Sequence, residues 1–547
     1  MIFLGNFPDD FCKNLPKFPK RLGKKVGATL HIKTEKIKKT TFCCPELFLI
    51  CYNQFNFTIR IKGTIMFGIF DSKSNVAEAK IFFGSTEATK TLKTERKSPY
   101  DGTIVSTAPL CDADDTTKAL HIAKDASKTA AASPLSQRIL WLEDVARRLM
   151  EERENFAMML SKEVAKPITF SRIEVERCAE TIKLTALELA NLHGETIPTD
   201  IMPSGKKTMA YFKREPVGVV ACITPFNFPL NLVAHKIAPA LGAGNTVVLK
   251  PTPEAPMTAY MLAKLFVESK YAVKDALSVV YGDAEVGSTL VKSPIPRVIS
   301  FTGSVPVGKI IMSQAGIKKV SLELGGNAAT YIDKSADLEL AAARCAYGAF
   351  YNSGQVCISL QRIYVHEEVY KAFAQLLAKE TKKLKVGSPY EEDTFMGPLI
   401  DEESRHRAKS WVASAKNEGA KVVAGGEEVE GIFPPTVMAD VTDEMKIICE
   451  EVFAPIVSLV AVPDYEIAIK KMNDSPYGLQ FSIFTNDLKM TQCFIDDAAC
   501  GGVVINDIPT LRFDVQPYGG SKLSGVGREG PRWALEEFTE IKSVVIC

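Results

Sequence analysis

The stretch VGVVACITPFNFPLNLVAHKIAPALGAGNTVVLK, residues 217–250, decides the fold. It holds two short apolar runs, VGVVACI (217–223) and NTVVLK (245–250), on either side of a segment with helical composition. Continuous apolar runs of this length are typical of parallel strands that are buried on both faces. The stretch therefore predicts a strand, a crossover helix and a second, parallel strand.

The same alternation continues along the chain. Two more apolar runs follow, LSVVYG (277–282) and VISFTG (298–303), with the predicted helix APMTAYMLAKLFVESK before them. A second set begins after residue 325, with ADLELAAARCAYGAFY as a helix and RIYVH as a strand. We therefore predict an α/β fold with two parallel units. From residue 77 to the first of these runs, the Ala-, Leu- and Glu-rich segments predict helices first and strands afterwards.

Composition excludes several classes of protein. The 547 residues are 46% hydrophobic and 24% charged, with a formal net charge of +1, which gives no electrostatic reason to expect nucleic acid or an anionic membrane as partner. No apolar run approaches the roughly 20 residues that span a bilayer. The thirteen cysteines form no CxxC pair and no Cys/His cluster at metal spacing. We expect reduced thiols, no metal and a cytoplasmic location.

The N-terminal segment, residues 1–76, does not resemble the rest. Its first 65 residues mix basic stretches (KRLGKK, KTEKIKK) with an apolar one, and no clear cleavage site follows. We interpret it as an extension of unknown role, read through from before a true start at Met66. A targeting function is the alternative.

A glycine turn follows the strand VISFTG. GSVPVG (303–308) opens into the apolar helix KIIMSQAG, and backbone NH groups at a helix N-terminus suit a phosphate. The turn has neither the GxGxxG pattern nor the GK[ST] of a P-loop. On its own it fits a phosphate site and a plain tight turn equally well.

Three polar residues stand at unusual places in the pattern. Asn227 follows the strand VGVVACI. Glu323 lies in SLELGG, at the end of an apolar strand and shortly before two glycines. Cys357 lies in NSGQVCISLQR (352–362). Taken singly, they fit a turn-forming amide, a solvated carboxylate and an inert core thiol. Together they fit an oxyanion donor, a general base whose pKa is raised by apolar neighbours, and a nucleophile.

From about residue 80 to its end the chain resembles the aldehyde dehydrogenase superfamily. The resemblance runs, in the family's order, through PFNFPL, GNTVVLKP, SFTGS, LELGG, GQVC, EEVFAPI and PYGGSKLSG. The segments NFPLN, GQVCIS and RFDVQPYGGSKLSGVGREG are most similar to the lactaldehyde, glyceraldehyde and non-phosphorylating glyceraldehyde-3-phosphate dehydrogenases. The resemblance implies a Rossmann-like cofactor domain, an α/β catalytic domain and a small β oligomerisation arm.

The resemblance also implies the catalytic roles. Cys357 would attack the aldehyde carbon, and the amide of Asn227 with the Cys357 backbone NH would hold the oxyanion. Glu323 would activate the water that hydrolyses the thioester. Lys236, nine residues after Asn227, matches the family's lysine near the active site, with a surface lysine as the equal alternative. Gly325, with Gly354 and Gln355, would keep the surroundings open.

NADP or NAD is the implied cofactor. Lys250 would contact the adenosine ribose, the turn beginning at Gly303 would hold the pyrophosphate, and Glu451 with Phe453 would hold the nicotinamide ribose and ring. Where NAD-preferring relatives often carry a glutamate, this chain has Pro253, so we expect NADP to be accepted at least as well as NAD. The predicted cofactor residues are Lys250, Pro253, Phe301, Gly303, Ser304, Gly308, Leu324, Glu451 and Phe453.

The substrate is less closely defined. Val356 stands where phosphate-handling relatives have an arginine, which disfavours a phosphorylated aldehyde. We interpret Arg512, in LRFD, as a surface residue, with a role in binding a substrate hydroxyl or carboxylate at the pocket mouth as the alternative. A small hydroxyaldehyde such as lactaldehyde or glyceraldehyde is the first choice, before semialdehydes and simple aliphatic aldehydes. A CoA-acylating enzyme and a catalytically silent structural or binding protein are the alternatives; the first would not need Glu323, and the second would be expected to have lost a catalytic residue.

The resemblance divides the chain into domains. The cofactor domain would comprise 77–193 and 217–325, and the catalytic domain 326–523. An arm would comprise 194–216 and 524–547. The last residues, EFTEIKSVVIC, would form an exposed edge strand unless paired with another subunit, so we expect a homodimer or homotetramer.

Overall fold

The computed structural model describes residues 76–547. The predictions about residues 1–75, including a start at Met66, lie outside the described residues.

An eight-stranded sheet forms the first unit and contains the strands predicted from residues 217–303. Its order is β21-β11-β10-β7-β8-β9-β2-β3, and the five strands from β11 to β9 are parallel. Every residue of β7 and β8 is buried, because helices cover both faces of the sheet. The strands run β1 Ala77–Glu78, β2 Ile81–Phe83, β3 Thr86–Ala88, β4 Lys93–Lys97, β5 Ile104–Pro109, β6 Met209–Pro216, β7 Val219–Ile223, β8 Thr246–Lys250, β9 Leu277–Val279, β10 Val298–Thr302 and β11 Lys319–Glu323.

A seven-stranded sheet forms the second unit, in the order β14-β15-β16-β13-β12-β18-β19. Only β14 is antiparallel to its neighbour. Two parallel α/β units are therefore confirmed. The remaining strands are β12 Ala328–Ile332, β13 Leu360–His366, β14 Lys421–Ala424, β15 Thr436–Ala439, β16 Ile456–Val462, β17 Tyr477–Gly478, β18 Gln480–Phe484, β19 Gly502–Ile505, β20 Ser521–Lys522, β21 Gly525–Val526 and β22 Thr539–Ile546.

The helices lie mostly between the strands they connect. Those at 231–242 and 256–267 are buried on nearly every side, as crossovers on a parallel sheet should be. The helices are α1 Ala113–Ala132, α2 Leu135–Glu151, α3 Arg153–Val164, α4 Ile168–Glu188, α5 Asn231–Gly242, α6 Pro256–Val267, α7 Ala284–Lys292, α8 Val305–Gln314, α9 Leu338–Phe350, α10 Glu367–Thr381, α11 Glu402–Asn417, α12 Lys446–Cys449, α13 Tyr465–Asn473, α14 Leu488–Asp497 and α15 Pro531–Glu537, with 3₁₀ turns at Leu189–Asn191 and Tyr351–Gly354.

The predicted order of helices before strands is wrong at the start of the described chain. Five strands, between residues 77 and 109, precede the first helix. They are two to six residues long, and β4, with the sequence KTERK, is almost entirely exposed. β4 is polar, and the apolar β2 (IFF) is only three residues long, so the longer apolar runs that revealed β7 and β8 have no counterpart there.

The C-terminal strand has a partner within its own chain. β22 pairs with β6 in antiparallel register from Thr539 opposite Pro216 to Ile546 opposite Met209. The expectation that another subunit must pair this edge is therefore corrected. Both strands lie in the predicted arm segments, 194–216 and 524–547. Separately, no helix within 76–547 is long and apolar enough to cross a membrane.

Candidate active site

The carboxyl ends of three neighbouring strands bring the predicted polar residues together. β11, β10 and β7 are adjacent and parallel, so Glu323, Ser304 and Asn227 emerge at one edge of the sheet. Cys357 reaches the same place from the loop before β13. A cavity of about 410 Å³ opens there, and Asn227, Glu323 and Cys357 all line it. This volume suits a small ligand.

A buried ion pair supports the Asn227 loop. Lys166 and Glu174 pair with both side chains fully buried, and Lys166 Nζ donates to the Asn227 carbonyl oxygen at 2.8 Å. Asn352 Nδ2 donates to the same carbonyl at 3.1 Å. The Asn227 side-chain oxygen accepts from Phe228 N at 3.1 Å, which leaves the NH₂ group as the donor available to the cavity.

Close backbone packing positions Cys357. Asn352, Ser353 and Gly354 have consecutive positive φ values of 50°, 57° and 69°, so the chain turns sharply just before the cysteine. A Cβ at Gly326 would lie 2.2 Å from the Cys357 carbonyl oxygen, and one at Gly354 would lie 2.3 Å from that of Ala454. Both positions therefore require glycine. Gln355, in contrast, is buried, and its Oε1 accepts from a backbone NH.

The Cys357 thiol lies in a desolvated setting. Burial raises its pKa to about 12, against the opposing effects of a hydrogen bond to Tyr518 and the charge of Arg512. The Tyr518 hydroxyl oxygen is 3.0 Å from Sγ. The nearby positive group that an activated thiol needs is therefore Arg512.

Glu323 has the environment expected of a carboxyl with a raised pKa. It is 3% exposed, and neither of its oxygens has a hydrogen-bond donor among residues 76–547. Burial first, and the charge of Glu529 second, hold its pKa well above the ordinary value. Both oxygens are thus free to bond a reacting water.

Lys236 is buried, so the surface alternative is wrong. Its Nζ donates to Glu529 Oε1 at 2.7 Å, and the two side chains are 1% and 4% exposed. Although burial opposes ionisation, Lys236 and Arg512 hold the pKa of Glu529 at about 2. Lys236 does not line the cavity but contacts Glu529, which does.

Arg512 is also buried, which corrects its interpretation as a surface residue. Its side chain is 9% exposed and lines the cavity with Arg177. The Arg512 guanidinium lies 3.7 Å from the ring centroid of Tyr518, and its Nε has no hydrogen-bond partner in the described structure. Arg177 forms two hydrogen bonds with Asp514, at 2.8 and 3.1 Å. Two guanidinium groups therefore face the space beside the thiol.

Several predicted cofactor residues line the cavity. Glu451 accepts from Gly326 N at 2.9 Å, and burial raises the pKa of its carboxyl to about 7. Phe453 has a φ of 47° and packs edge-on against Phe226 at 5.9 Å. The predicted cofactor residues in the lining are Gly303, Ser304, Leu324, Glu451 and Phe453.

The other predicted cofactor residues lie outside this cavity. Lys250 ends β8, one strand beyond β7, and Pro253 is exposed on the loop that follows. Phe301 and Gly308 are packing residues, since a Cβ at Gly303 would lie 2.4 Å from the Phe301 ring and one at Gly308 would lie 2.7 Å from Leu324. An extended nucleotide would have to reach past the cavity along the strand ends to meet Lys250.

Sequence reasoning missed Tyr518, Glu529 and Arg177. Tyr518 lies inside the recognised segment PYGGSKLSG, and Glu529 follows it by four residues, yet no spacing rule connects either residue to Cys357. Arg177 lies on α4, where it has the pattern of an ordinary helix residue. All three line the cavity together with Cys357, which only the folded structure reveals.

The arrangement is that expected of a nucleotide-dependent oxidoreductase with a covalent intermediate: strand ends open to a dinucleotide, beside a thiol with an amide donor and a buried carboxyl. The aldehyde dehydrogenase family model matches residues 86–544. The chain belongs to the aldehyde dehydrogenase family. It is an NAD(P)-dependent aldehyde dehydrogenase.

Named relatives agree with the predicted branch. The 3-sulfolactaldehyde dehydrogenase of Priestia aryabhattai is 43% identical over 87% of this chain and 99% of its own length. The lactaldehyde dehydrogenase of Methanococcus aeolicus is 39% identical over 83% and 97%. The structure of glyceraldehyde-3-phosphate dehydrogenase GapN from Methanocaldococcus jannaschii, complexed with NADP, matches with a TM-score of 0.80 and 36% identity over 84% of this chain and all of that one.

Proposed function

We propose that this dehydrogenase oxidises a small hydroxyaldehyde, such as lactaldehyde or glyceraldehyde, to its acid. The observation that carries the proposal is the polar lining beside the thiol. Arg177, Arg512, Asn231 and Thr510 line the cavity together with Cys357. Because a cavity with buried polar groups favours substrates that can bond them, a hydroxyl next to the aldehyde is preferred to a plain alkyl group. The names of the two sequence relatives support this choice.

The chain's own residues account for the chemistry as follows. The Cys357 sulfur bonds to the aldehyde carbon, and the carbonyl electron pair moves to oxygen, which the Asn227 NH₂ and the Cys357 backbone NH stabilise. NAD(P), when bound, supplies the two-electron acceptor that turns this adduct into a thioester. Glu323 then takes a proton from water as it attacks the thioester, and the C–S bond breaks to return the thiolate.

A hydroxyaldehyde with an anionic tail is a second candidate, and a specific observation favours it. Arg177 and Arg512 are both near the thiol, and a guanidinium binds carboxylate, sulfonate or phosphate well. Asp514 and Glu529 already neutralise part of this charge. The residue before the cysteine in the lining is Val356, and the third arginine of the lining, Arg407, donates to the Val452 carbonyl at 2.6 Å. The sulfonate of 3-sulfolactaldehyde would meet two cations, and this relative's name supports it.

A panel of aldehydes tests both candidates with NAD and NADP. Lactaldehyde and glyceraldehyde should exceed propionaldehyde in kcat/KM by about tenfold or more, since propionaldehyde has no hydroxyl to bond the polar lining. If 3-sulfolactaldehyde exceeds both, and Arg512→Met removes that advantage, the anionic candidate replaces the neutral one. Equal kcat/KM for propionaldehyde would refute the hydroxyaldehyde proposal.

Single-turnover kinetics test the role of Cys357. A burst of NAD(P)H equal to the enzyme concentration should appear in the unmodified protein and be absent from Cys357→Ala. A burst that survives in Cys357→Ala would refute the assignment of the nucleophile. Formation of acyl-CoA on addition of CoA would favour the CoA-acylating alternative. Absence of turnover by the unmodified protein with every aldehyde would favour the catalytically silent one.

The domain boundaries, the location and the assembly of the protein are also proposed. The cofactor domain comprises 77–193 and 217–325, the catalytic domain 326–523, and the arm 194–216 with 524–547. We propose a cytoplasmic homodimer or homotetramer: the two-stranded arm of β6 and β22 leaves the outer side of β22 open to a partner. Light scattering at micromolar concentration that gave the mass of a monomer would contradict the assembly.

A further inference from the structure

Tyr518 is the side chain whose hydroxyl contacts the cysteine sulfur. Its oxygen lies 3.0 Å from Cys357 Sγ, and the ring is 6% exposed. The ring packs in a small apolar cluster with Tyr351, Val356 and Ile358. A buried phenol needs a partner for its O–H, and the sulfur of the partly buried Cys357 is the one at hydrogen-bond distance.

The position of Tyr518 is fixed by its backbone. Tyr518 N donates to the Glu529 carbonyl at 3.0 Å, and Glu529 N donates to the Tyr518 carbonyl at 2.6 Å. The side chain therefore projects from a closed two-residue bridge rather than from a free loop. A donor held this way keeps its geometry when the sulfur changes charge, which is the requirement for electrostatic stabilisation.

The Arg512 guanidinium strengthens Tyr518 as a donor. It lies over the phenol ring, 3.7 Å from the centroid. A cation on the ring face draws electron density from the ring, so the O–H becomes a better donor. Burial first, and then the neighbouring thiol, hold the pKa of Tyr518 well above its ordinary value, so the phenol keeps its proton. It can therefore donate to the sulfur throughout the reaction.

We propose that Tyr518 is a further catalytic residue, which donates a hydrogen bond from its hydroxyl to the Cys357 thiolate. The donor stabilises the sulfur anion twice: before it attacks the aldehyde carbon, and when the C–S bond of the thioester breaks. The tyrosine proton stays on its oxygen in both steps, so no other group need return it. The inference rests on the proposed role of Cys357 as nucleophile.

Alkylation of Cys357 by iodoacetamide measures this effect without turnover. The rate is followed at the level of the Cys357 peptide by mass spectrometry from pH 6 to 10. The charged and titratable groups that act on this thiol are Tyr518, Arg512, Glu323 and Glu451. Tyr518→Phe removes only the hydroxyl. Tyr331→Phe is the matched control, because it removes a buried hydroxyl that has no hydrogen-bond partner in the described structure.

Loss of the donor should slow alkylation about 3- to 12-fold at pH 7 and displace the rate profile to higher pH. A hydrogen bond to an ionised group changes the thiolate fraction about 10- to 100-fold. A more basic thiolate is a better nucleophile and regains about 3- to 8-fold of this loss. Tyr331→Phe should alkylate as the unmodified protein does.

Two results would overturn the inference. One is an unchanged rate and pH profile in Tyr518→Phe, and the other is an equal slowing in Tyr331→Phe, which would make the effect a general one of lost hydroxyls. Neither result touches the role of Cys357, since the NADPH or NADH burst of the Cys357→Ala variant decides that separately. Thermal unfolding of each variant shows that the compared proteins are folded.

Discussion

Replacement of Lys166 by methionine should destabilise the fold and also weaken the proposed oxyanion site at Asn227. Lys166 Nζ pairs with Glu174, donates to the Asn227 carbonyl at 2.8 Å and lies 4.0 Å from the centroid of the Phe228 ring. Methionine has a similar length but neither charge nor donor. Glu174 would then remain as a buried carboxylate without its cation.

The size of the effect follows from the contacts that remain. Breaking a buried ion pair costs about 3–5 kcal/mol. Glu174 Oε1 still accepts from Leu230 N at 3.0 Å and from Asn231 N at 3.2 Å, and the Asn227 carbonyl still accepts from Asn352. Because no backbone group loses its last partner, we expect the lower end, about 3 kcal/mol.

Urea unfolding, followed by circular dichroism at one fixed protein concentration, measures the loss of stability. A second change, Glu174→Gln, should recover about 1–2 kcal/mol in the methionine variant, since glutamine removes the unpaired charge and keeps an oxygen for both NH groups. A displaced Asn227 should also lower kcat about 10- to 100-fold. The reasoning would be refuted if Lys166→Met unfolded at the same midpoint urea concentration as the unmodified protein. A double variant less stable than Lys166→Met alone would also refute it.

Three shorter predictions concern the pH dependence and the residues proposed to bind the cofactor. Initial rates should rise about tenfold or more from pH 6 to pH 9, because the pKa values of the Glu323 carboxyl and the Cys357 thiol are both raised and their ionised forms gain with pH; a flat or falling profile would contradict this. Gly325→Ala should raise the KM for the cofactor about tenfold, since its Cβ would lie 2.3 Å from a Glu451 carboxylate oxygen and displace it; an unchanged KM, measured at saturating aldehyde, would contradict it. Pro253→Glu should lower kcat/KM with NADP about tenfold more than with NAD, because a carboxylate there repels a 2′-phosphate; equal losses would show that this loop does not contact the ribose.

The sequence predicts the central strands of the first sheet well and the short strands before the first helix poorly. β7, β8 and β10 are buried on both faces, so each is a continuous apolar run that needs no tertiary information to recognise. β4 is exposed, and β1 is only two residues long, so neither leaves a pattern.

The same distinction applies to the site. Asn227, Glu323 and Cys357 follow recognisable strands or motifs, and the structure places them around one cavity. Arg512 was misread because its burial depends on packing over the Tyr518 ring and on charge pairing with Asp514 and Glu529, which no sequence pattern reveals. Charge alone favours a surface position, and only the packed structure reveals the compensating groups.

The pairing of β21 with β11 has a consequence for synthesis on the ribosome. Leu322 and Glu323 pair with Val526 and Gly525, so the edge of the first sheet is completed by residues translated some 200 positions later. Tyr518 belongs to the same late segment. A nascent chain can fold both halves as they emerge, but Cys357 acquires its contact with Tyr518 only after residue 518 has been translated. A polypeptide that stops before residue 518 therefore lacks the hydroxyl beside the Cys357 thiol and the strand that completes this sheet edge.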